Sequence, residues 1–242
     1  MIDELITDGT PPPLRPGTLT AQGEPRAVSP LLHDLAKAAA GTYTGDTPQW
    51  SNYSRTVHVF LSMVNGVHTI AFEGTSDFRE WVIDFMAFEV PRVNHPVYGM
   101  VHEGFLHTVT GVIGQIDDYL KGLGYPPWYL TGHSKGAGEA LIMAAEMKSR
   151  GHPPNALVVF EPPQVGGAAL RDYLSSLNPT WTATVNSHGR DIVTQVPFGP
   201  SWCHANDPLL LRVRDGYSPL VKHRMAAVQE ALDAMPTTHA GV

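Results

Sequence analysis

Apolar and polar positions alternate along this chain with two different spacings. Apolar residues recur every three or four positions over 30–41, which predicts a helix. Two apolar segments, 57–64 and 67–72, flank an Asn65-Gly66 dipeptide, which favours the tight turn of a β-hairpin. The first half of the chain is therefore predicted to contain a helix and then a hairpin.

Downstream of the hairpin, short apolar runs alternate with helical patterns. Apolar residues at helical spacing predict one helix over 105–120, which the following glycines end. The other predicted strands are 128–130, 156–160 and 181–185, and the other predicted helices are 137–150, 168–177 and 220–235. This alternation is typical of a mostly parallel sheet covered by helices on both faces, with the hairpin as an antiparallel edge. The predicted fold class is α/β.

The first 27 residues differ from the rest because they are rich in proline and have little apolar periodicity. We expect them to form an extended arm ahead of a single domain over 28–242. They lack the basic start and the apolar stretch of a secretory signal, and no apolar run approaches the length that spans a bilayer. The default expectation is a cytoplasmic protein, with export without a cleaved signal left open.

The overall composition excludes several function classes. Hydrophobic residues make up 43% of the chain and charged residues 16%, which argues against disorder. The net charge of −7 disfavours a general nucleic-acid binder, because neutralising phosphates requires clustered Lys and Arg. The single cysteine, Cys203, cannot form an intramolecular disulfide. The histidines lack metal-ligand spacing and no nucleotide-binding loop is present, so no metal and no cofactor are expected.

One motif indicates a nucleophile. Residues 132–136 read Gly-His-Ser-Lys-Gly, a G-x-S-x-G pattern between a predicted strand and a predicted helix. A serine hydroxyl reacts only when it is exposed, lies beside a base and faces donors for the oxyanion, and a sharp turn between small residues supplies the exposure. Ser134 is the predicted nucleophile. The alternative is a glycine-rich turn without chemistry.

Several segments, in the same order along the chain, resemble motifs of the fungal-type (class 3) lipases, a family of α/β-hydrolases. They are AFEGT at 71–75, Trp81 with Asp84, VHEGF at 101–105, LTGHSKGAG around Ser134, FEPPQVG at 160–166, and the Asn186 to Pro197 region. The resemblance covers about residues 55–230 and implies an α/β-hydrolase fold. The chain departs from the family at Glu73, Glu161 and Gln164, where Arg, Gly and Arg are usual; this bears on local hydrogen bonding.

Two carboxylates are candidates for the acid that orients the base. In α/β-hydrolases the triad runs serine, acid, histidine along the chain. Asp191 follows the predicted strand 181–185 in a polar turn, so it is the expected acid. Glu161 directly follows the strand 156–160 and could serve as the acid or as a second carboxylate beside the histidine. A structural role for Glu161, paired with Arg190 or capping a turn, is the alternative.

Three histidines follow the acid and could be the base. His239 lies in a Thr- and Gly-containing tail, and His204 comes too soon after Asp191 to leave room for a further strand. His223 follows an apolar segment and opens the last predicted helix, where the family's histidine also lies. We expect His223 to be the base; a partly exposed helix histidine without a catalytic role is the alternative.

The remaining candidate residues surround this triad. The oxyanion donors are expected to be the backbone N–H groups of Lys135 and Thr75. His102 and His133 match family positions, and we expect them to pack and hydrogen-bond. In the resembling lipases the segment corresponding to 76–88 acts as a lid, which makes its aromatic residues lid candidates: Phe78, Trp81, Phe85 and Phe88. The alternative is that this aromatic stripe packs into the core.

These residues together predict a serine carboxylic-ester hydrolase, with a lipase as the leading hypothesis. The substrate would be a small-molecule or lipid ester, with transient contact at a lipid interface, and the oligomeric state is open. The same triad could serve a short-chain esterase, a thioesterase or an acyltransferase. A catalytically silent binding module is a further alternative that the intact Ser, Asp and His disfavour.

Overall fold

The computed structural model describes residues 30–75, 91–177, 180–185, 191, 193–206, 209–211 and 223–235. The strands in these ranges are β1 (Trp50–Ser51), β2 (His58–Val64), β3 (Val67–Phe72), β4 (Arg92–His95), β5 (Gly99–His102), β6 (Trp128–His133), β7 (Ala156–Phe160), β8 (Thr180–Val185) and β9 (Leu209–Leu211). The α-helices there are α1 (Pro30–Gly41), α2 (Glu103–Thr110), α3 (Ile113–Gly122), α4 (Lys135–Ser149), α5 (Ala168–Leu174) and α6 (Met225–Asp233). They alternate along the chain as expected for an α/β fold.

Within the described residues, seven strands form one sheet in the order β1-β2-β3-β6-β7-β8-β9. The first two pairings are antiparallel and the others are parallel. The predicted hairpin joins β2 to β3, and both of its turn residues, Asn65 and Gly66, have the positive φ that such turns require. Because β3, β6, β7 and β8 run parallel, their carboxyl ends share one edge of the sheet.

Helices cover both faces of this sheet. The residues of β7 are buried throughout, as in a parallel strand enclosed on both sides. On one face, apolar side chains of α2 to α5 pack in one core cluster with β3 and β6. On the other face, α1 and α6 pack together in a second cluster that includes Val158 and Phe160 of β7. The sheet edge between these layers is therefore held rigidly from both sides.

Three elements differ from the sequence-based expectation. The helix predicted over 105–120 is two helices, because the chain leaves the helical conformation at Val112, whose φ is −124°; an added Cβ at the preceding Gly111 would lie 3.0 Å from the Cβ of Asn52. The hairpin of β4 and β5 was not predicted, since the largely exposed residues of β4 form no apolar run. The last helix begins at Met225, so His223 precedes that helix and does not open it.

Two predicted segments fall outside the described residues. The extended arm over 1–27 is one of them. The lid over 76–88, with Phe78, Trp81, Phe85 and Phe88, is the other. Both stay predictions. In the part of the chain that is described, no helix combines the length and the apolar character needed to cross a bilayer.

Candidate active site

The serine of the G-x-S-x-G motif sits in a tight turn between β6 and α4. Ser134 has φ 58° and ψ −126°, a backbone conformation that residues other than glycine rarely adopt. A Cβ at Gly132 would lie 2.4 Å from the carbonyl oxygen of Gly136, and a Cβ at Gly136 would lie 2.3 Å from that of Phe72. The two glycines therefore permit the close approach of β3, β6 and α4, which holds the serine at the sheet edge.

Ser134, His223 and Asp191 form one hydrogen-bonded chain. The Nε2 atom of His223 lies 2.7 Å from Ser134 Oγ, and its Nδ1 atom is hydrogen-bonded to Asp191 Oδ2. Because an ionised carboxylate only accepts, Nδ1 carries the proton and Nε2 accepts from the serine hydroxyl. The backbone N–H of Val193 donates to Asp191 Oδ1 at 3.0 Å. All three residues are at most 1% exposed, so the structure brings the predicted nucleophile, base and acid together in a desolvated cluster, and the exposed position expected for Ser134 is not seen.

Glu161 lies in the same cluster. It is the residue directly after β7, it is fully buried, and its φ of 50° is in the left-handed region. One carboxylate oxygen of Glu161 lies within 4.8 Å of a side-chain ligand atom of both Asp191 and His223. The structure thus brings the second acid candidate to the site as well. Arg190, the partner considered for a structural role, lies outside the described residues.

Glu161, Asp191 and His223 are also the side chains that come closest to a metal-binding set among the described residues. Both ring nitrogens of His223 are already engaged, one with Asp191 and one with Ser134. A cation would have to displace one of these bonds to gain the imidazole as a ligand. The donor arrangement therefore fits proton transfer better than metal coordination.

Two residues beneath the site fix the position of His223. The Nε2–H of His133 donates to the carbonyl oxygen of His223 at 2.7 Å, and the Tyr43 hydroxyl donates to Nδ1 of His133, also at 2.7 Å. Burial and the nearby His223 hold the pKa of His133 well below its usual value, so that its ring is neutral and can accept from Tyr43. His133 thus has the hydrogen-bonding role expected of it.

The histidine at the start of α2 also has the expected structural role. His102 caps this helix, because its Nδ1 accepts from the backbone N–H groups of Gly104 and Phe105. Burial lowers the pKa of His102 to about 4, which keeps the ring neutral and able to accept. The imidazole that bonds Ser134 is that of His223 rather than that of His204, and His239 lies outside the described residues.

The two expected oxyanion donors are on neighbouring elements. Lys135 is the first residue of α4, where backbone N–H groups have no acceptor within the helix, and Thr75 follows β3, which pairs with β6. The Lys135 side chain turns away to the carbonyl of Thr56 at 2.8 Å and to Glu139 at 2.5 Å. The charge of Lys135 is thus directed away from its own amide, and the assignment of both amides stays a prediction.

Two residues near the site, Glu139 and Tyr43, escaped the sequence analysis. Glu139 is fully buried, and burial raises its pKa to about 7 although Lys135 opposes that shift. The spacing of four residues between Lys135 and Glu139 on a helix was a usable signal. Tyr43 gave no signal, because it lies in a loop and its partner His133 is 90 positions away.

The chain is similar to lipases in sequence and in structure. The family model described as Lipase (class 3) matches residues 69–200. Secreted mono- and diacylglycerol lipase A of Penicillium cyclopium and its counterpart in Penicillium camembertii are each 23% identical over 151 residues, which is 58% of this chain and 46% of each relative. The chain therefore spans about half the length of these curated relatives.

Solved lipase structures share the fold. The triacylglyceride lipase of Rhizomucor miehei superposes with a TM-score of 0.63 at 22% identity, covering 78% of this chain and 83% of that one. The mono- and diacylglycerol lipase of Aspergillus oryzae superposes with a TM-score of 0.59 at 18% identity, covering 73% and 77%. The predicted α/β-hydrolase fold is confirmed.

The prediction of a cytoplasmic location is wrong. The curated relatives that the chain matches are named as secreted lipases, which contradicts it. The prediction was drawn from the absence of a membrane-spanning apolar run and from the acidic, proline-rich residues at the start of the sequence. Such a composition shows only that these residues do not resemble a signal peptide, and it says nothing about how the protein reaches its compartment.

Proposed function

The chain belongs to the class 3 lipase family, and on that premise we propose that it hydrolyses carboxylic esters of lipids, with Ser134 as nucleophile, His223 as base and Asp191 as acid. The observation that carries the proposal is the continuous hydrogen-bonded chain from Ser134 Oγ through both ring nitrogens of His223 to Asp191. A base in contact with the nucleophile and an acid in contact with the base are the features that activate a serine.

In the first half of the reaction, Ser134 Oγ attacks the acyl carbonyl carbon and its proton passes to Nε2 of His223. Asp191 stabilises the imidazolium that forms, because it accepts the Nδ1–H bond. The backbone N–H groups of Lys135 and Thr75 stabilise the negative charge on the carbonyl oxygen. His223 then donates its proton to the leaving alcohol oxygen, and the acyl group stays on Ser134.

In the second half, water replaces the alcohol. His223 takes a proton from the water as its oxygen attacks the acyl carbon, and the tetrahedral intermediate then releases the carboxylic acid as His223 returns the proton to Ser134 Oγ. The buried positions of all three triad side chains support this role, since electrostatic stabilisation is stronger in a site with little water.

Acylglycerols are the substrate class that we propose. The matched relatives are named as mono- and diacylglycerol lipases and as a triacylglyceride lipase. Contact with a lipid surface through the predicted lid is part of the same proposal.

The test compares wild type with Ser134→Ala on p-nitrophenyl esters from acetate to palmitate and on emulsified acylglycerols. We expect hydrolysis by wild type that falls by a factor of about 10⁴ or more in the variant, since triads act as a unit. A preference for long chains and emulsions supports a lipase, and a preference for soluble short esters would replace it with an esterase. Equal rates for the two proteins would contradict the serine mechanism. An inactive wild type that stays folded would overturn the hydrolase proposal.

A further inference from the structure

We propose that Glu161 is a second acid of the catalytic centre, a positioning residue that stabilises the imidazolium of His223 together with Asp191 and takes over part of that role when Asp191 is removed. The inference rests on the proposed triad and deepens it. Asp191 already supplies the one acid that a triad requires, so Glu161 is an additional carboxyl group at the site.

The sheet places Glu161 beside the nucleophile. In the parallel pairing of β6 with β7, His133 lies opposite Phe160, so the next residues, Ser134 and Glu161, leave neighbouring strands at the same level. The backbone N–H of Ser134 donates to the carbonyl oxygen of Phe160 at 3.0 Å, which ties the two strand ends together. Glu161 is therefore held at a fixed height relative to the reacting hydroxyl.

Distance and burial make Glu161 an electrostatic partner of the base. Its carboxylate oxygen is within 4.8 Å of a ring nitrogen of His223, in a cluster that is almost fully buried. An opposite charge within about 4–6 Å favours the protonated form of an imidazole, and low solvent exposure strengthens that effect. The charge that appears on His223 during catalysis thus faces two carboxyl groups.

The backbone at Glu161 also argues for a function. Its φ of 50° is a conformation that suits glycine, yet this position carries a long, chargeable side chain that is fully buried. A strained backbone and a buried carboxyl are both unfavourable, and such features persist where they serve a site. The site that Glu161 reaches is that of His223 and Asp191.

The other titratable groups around His223 do not account for this effect. Those that face the ring in the described structure include Asp191, Glu161 and His133, whose ring centroid is 4.9 Å from that of His223. Burial keeps His133 neutral, so it adds no charge beside His223, whether His223 is neutral or protonated. Asp191 keeps its bond to Nδ1. The added electrostatic contribution therefore comes from Glu161.

The first experiment measures kcat/KM for p-nitrophenyl butyrate in Asp191→Ala, Glu161→Gln and the double variant. Replacing the acid of a one-acid triad lowers the rate by a factor of about 10⁴. We expect kcat/KM to fall by only about 10²-fold in Asp191→Ala and by less than about 5-fold in Glu161→Gln. In the double variant, kcat/KM should fall a further 30-fold or more below that of Asp191→Ala. Independent sites would not show such coupling. Equal rates for Asp191→Ala and the double variant would overturn the proposal.

The second experiment does not depend on turnover. The ring nitrogens of His223 are titrated by NMR in wild type and Glu161→Gln, with His223→Gln to assign the signals. Because a carboxylate favours the imidazolium, its removal should lower the pH midpoint of this titration by about half a unit or more. The matched control is Glu146→Gln, which removes a carboxylate that bonds Tyr98 at 2.6 Å and belongs to a different cluster.

The two readouts separate the possible failures. A fluorophosphonate, which reacts with activated serines, tests Ser134 independently of the ester chosen. If wild type hydrolyses no ester and Ser134 does not react with the fluorophosphonate, the proposed function fails. The NMR titration still decides the role of Glu161 in that case. If wild type is active but Glu161→Gln leaves the midpoint unchanged, the second acid is refuted. A purely structural Glu161 would alter stability without moving that midpoint. If the double variant does not fold, the titration of Glu161→Gln alone decides between the two roles.

Discussion

The chain places a polar side chain at the sheet edge after both β6 and β7, but it does so in two different ways. Each strand is followed directly by a buried residue other than glycine with positive φ, Ser134 at 58° and Glu161 at 50°. After Ser134 the chain continues at once into α4, with glycines on both sides of the turn. After Glu161 it continues through Pro162-Pro163, whose fixed φ angles keep it extended. Small residues thus allow the tight turn after β6, whereas prolines restrict the backbone after β7.

This difference indicates how each end tolerates change. The elbow at Ser134 depends on close contacts between backbone atoms. Unlike a side chain, the backbone cannot relieve a clash by changing rotamer. The end at Glu161 places a flexible side chain that can adjust. We therefore expect the β6 end to be sensitive to shape and the β7 end to be sensitive to charge. The predictions below test that contrast, beginning with the largest effect.

Adding a methyl group in the elbow should have the largest effect. The Cβ in Gly132→Ala and in Gly136→Ala would lie 2.4 Å and 2.3 Å from backbone oxygens. We expect each variant to lose about 3 kcal/mol of unfolding free energy and more than about 100-fold in kcat/KM, because overpacking shifts the nucleophile. Urea unfolding and ester hydrolysis provide the measurements.

Gly114→Ala is the matched control for these elbow variants, since nothing lies within 4 Å of the added Cβ in α3. Alanine also favours a helix over glycine by about 1 kcal/mol, so this variant should be at least as stable as wild type. If the elbow variants behaved like Gly114→Ala, the β6 end would not depend on shape.

The second prediction concerns Glu139, the buried acid on the helix that follows β6. Glu139, on the helix after β6, has a cation beside it, whereas Glu161 has an imidazole. Burial raises the pKa of Glu139 to about 7, above its unfolded value. The native state then binds more protons than the unfolded state between these pH values, so the stabilisation is present at low pH and is lost as pH rises through about 7.

Urea unfolding of wild type and Glu139→Gln between pH 4.5 and pH 8 measures this effect. We expect wild type to lose about 3 kcal/mol relative to Glu139→Gln over that interval, since each unit of pKa corresponds to about 1.4 kcal/mol. A stability difference that stays constant with pH would show that Lys135 keeps Glu139 ionised throughout.

The order of the elements and the elbow itself could be predicted from sequence because their causes are local. The Asn65-Gly66 turn and the glycines around Ser134 act within a few residues of themselves. The pair of Asp191 and His223 was reached from chain order and family resemblance, since 32 residues separate them and no local pattern joins them.

What could not be predicted depends on contacts distant in sequence. The break between α2 and α3 occurs where Gly111 meets Asn52, which a helical pattern over 105–120 cannot indicate. The proximity of Glu161 to the triad depends on the register of β6 against β7. Their positions after two predicted strands made Asp191 and Glu161 candidates and left open whether Glu161 acts as the acid, as a second carboxylate or as a structural residue, whereas the sheet brings both carboxyl groups to one histidine.

The third prediction measures the backbone strain that both strand ends share. At a positive φ an alanine is less favourable than a glycine by about 1–2 kcal/mol. Ser134→Gly should therefore be more stable than Ser134→Ala by about 1 kcal/mol, and Glu161→Gly more stable than Glu161→Ala by a similar amount. Thermal or urea unfolding of the four variants gives both differences.

Ser175 is the control position for this measurement, because its φ is −60° at the end of α5. There the order should reverse, with alanine more stable than glycine by about 0.5–1 kcal/mol. If glycine were no better than alanine at 134 or at 161, the positive φ at that strand end would not be a source of strain.

The smallest expected effect concerns the support beneath the β6 end. Tyr43→Phe removes the hydroxyl that donates to His133, which in turn holds the backbone of His223. The same hydroxyl is hydrogen-bonded to the backbone of Gly74, next to the proposed oxyanion donor Thr75. A lost neutral hydrogen bond corresponds to about 1 kcal/mol, so kcat should fall by about 3- to 10-fold while KM stays unchanged, because the groups around Ser134 shift. Tyr119→Phe is the matched control, since Tyr119 bonds Nδ1 of His68 at 2.9 Å, at the opposite end of the sheet's β3–β6 pairing. Both variants should lose similar stability, but only Tyr43→Phe should lose rate. An equal loss of rate in the two variants would mean that the rate depends on general packing and that the Tyr43 hydroxyl has no specific role in positioning His223.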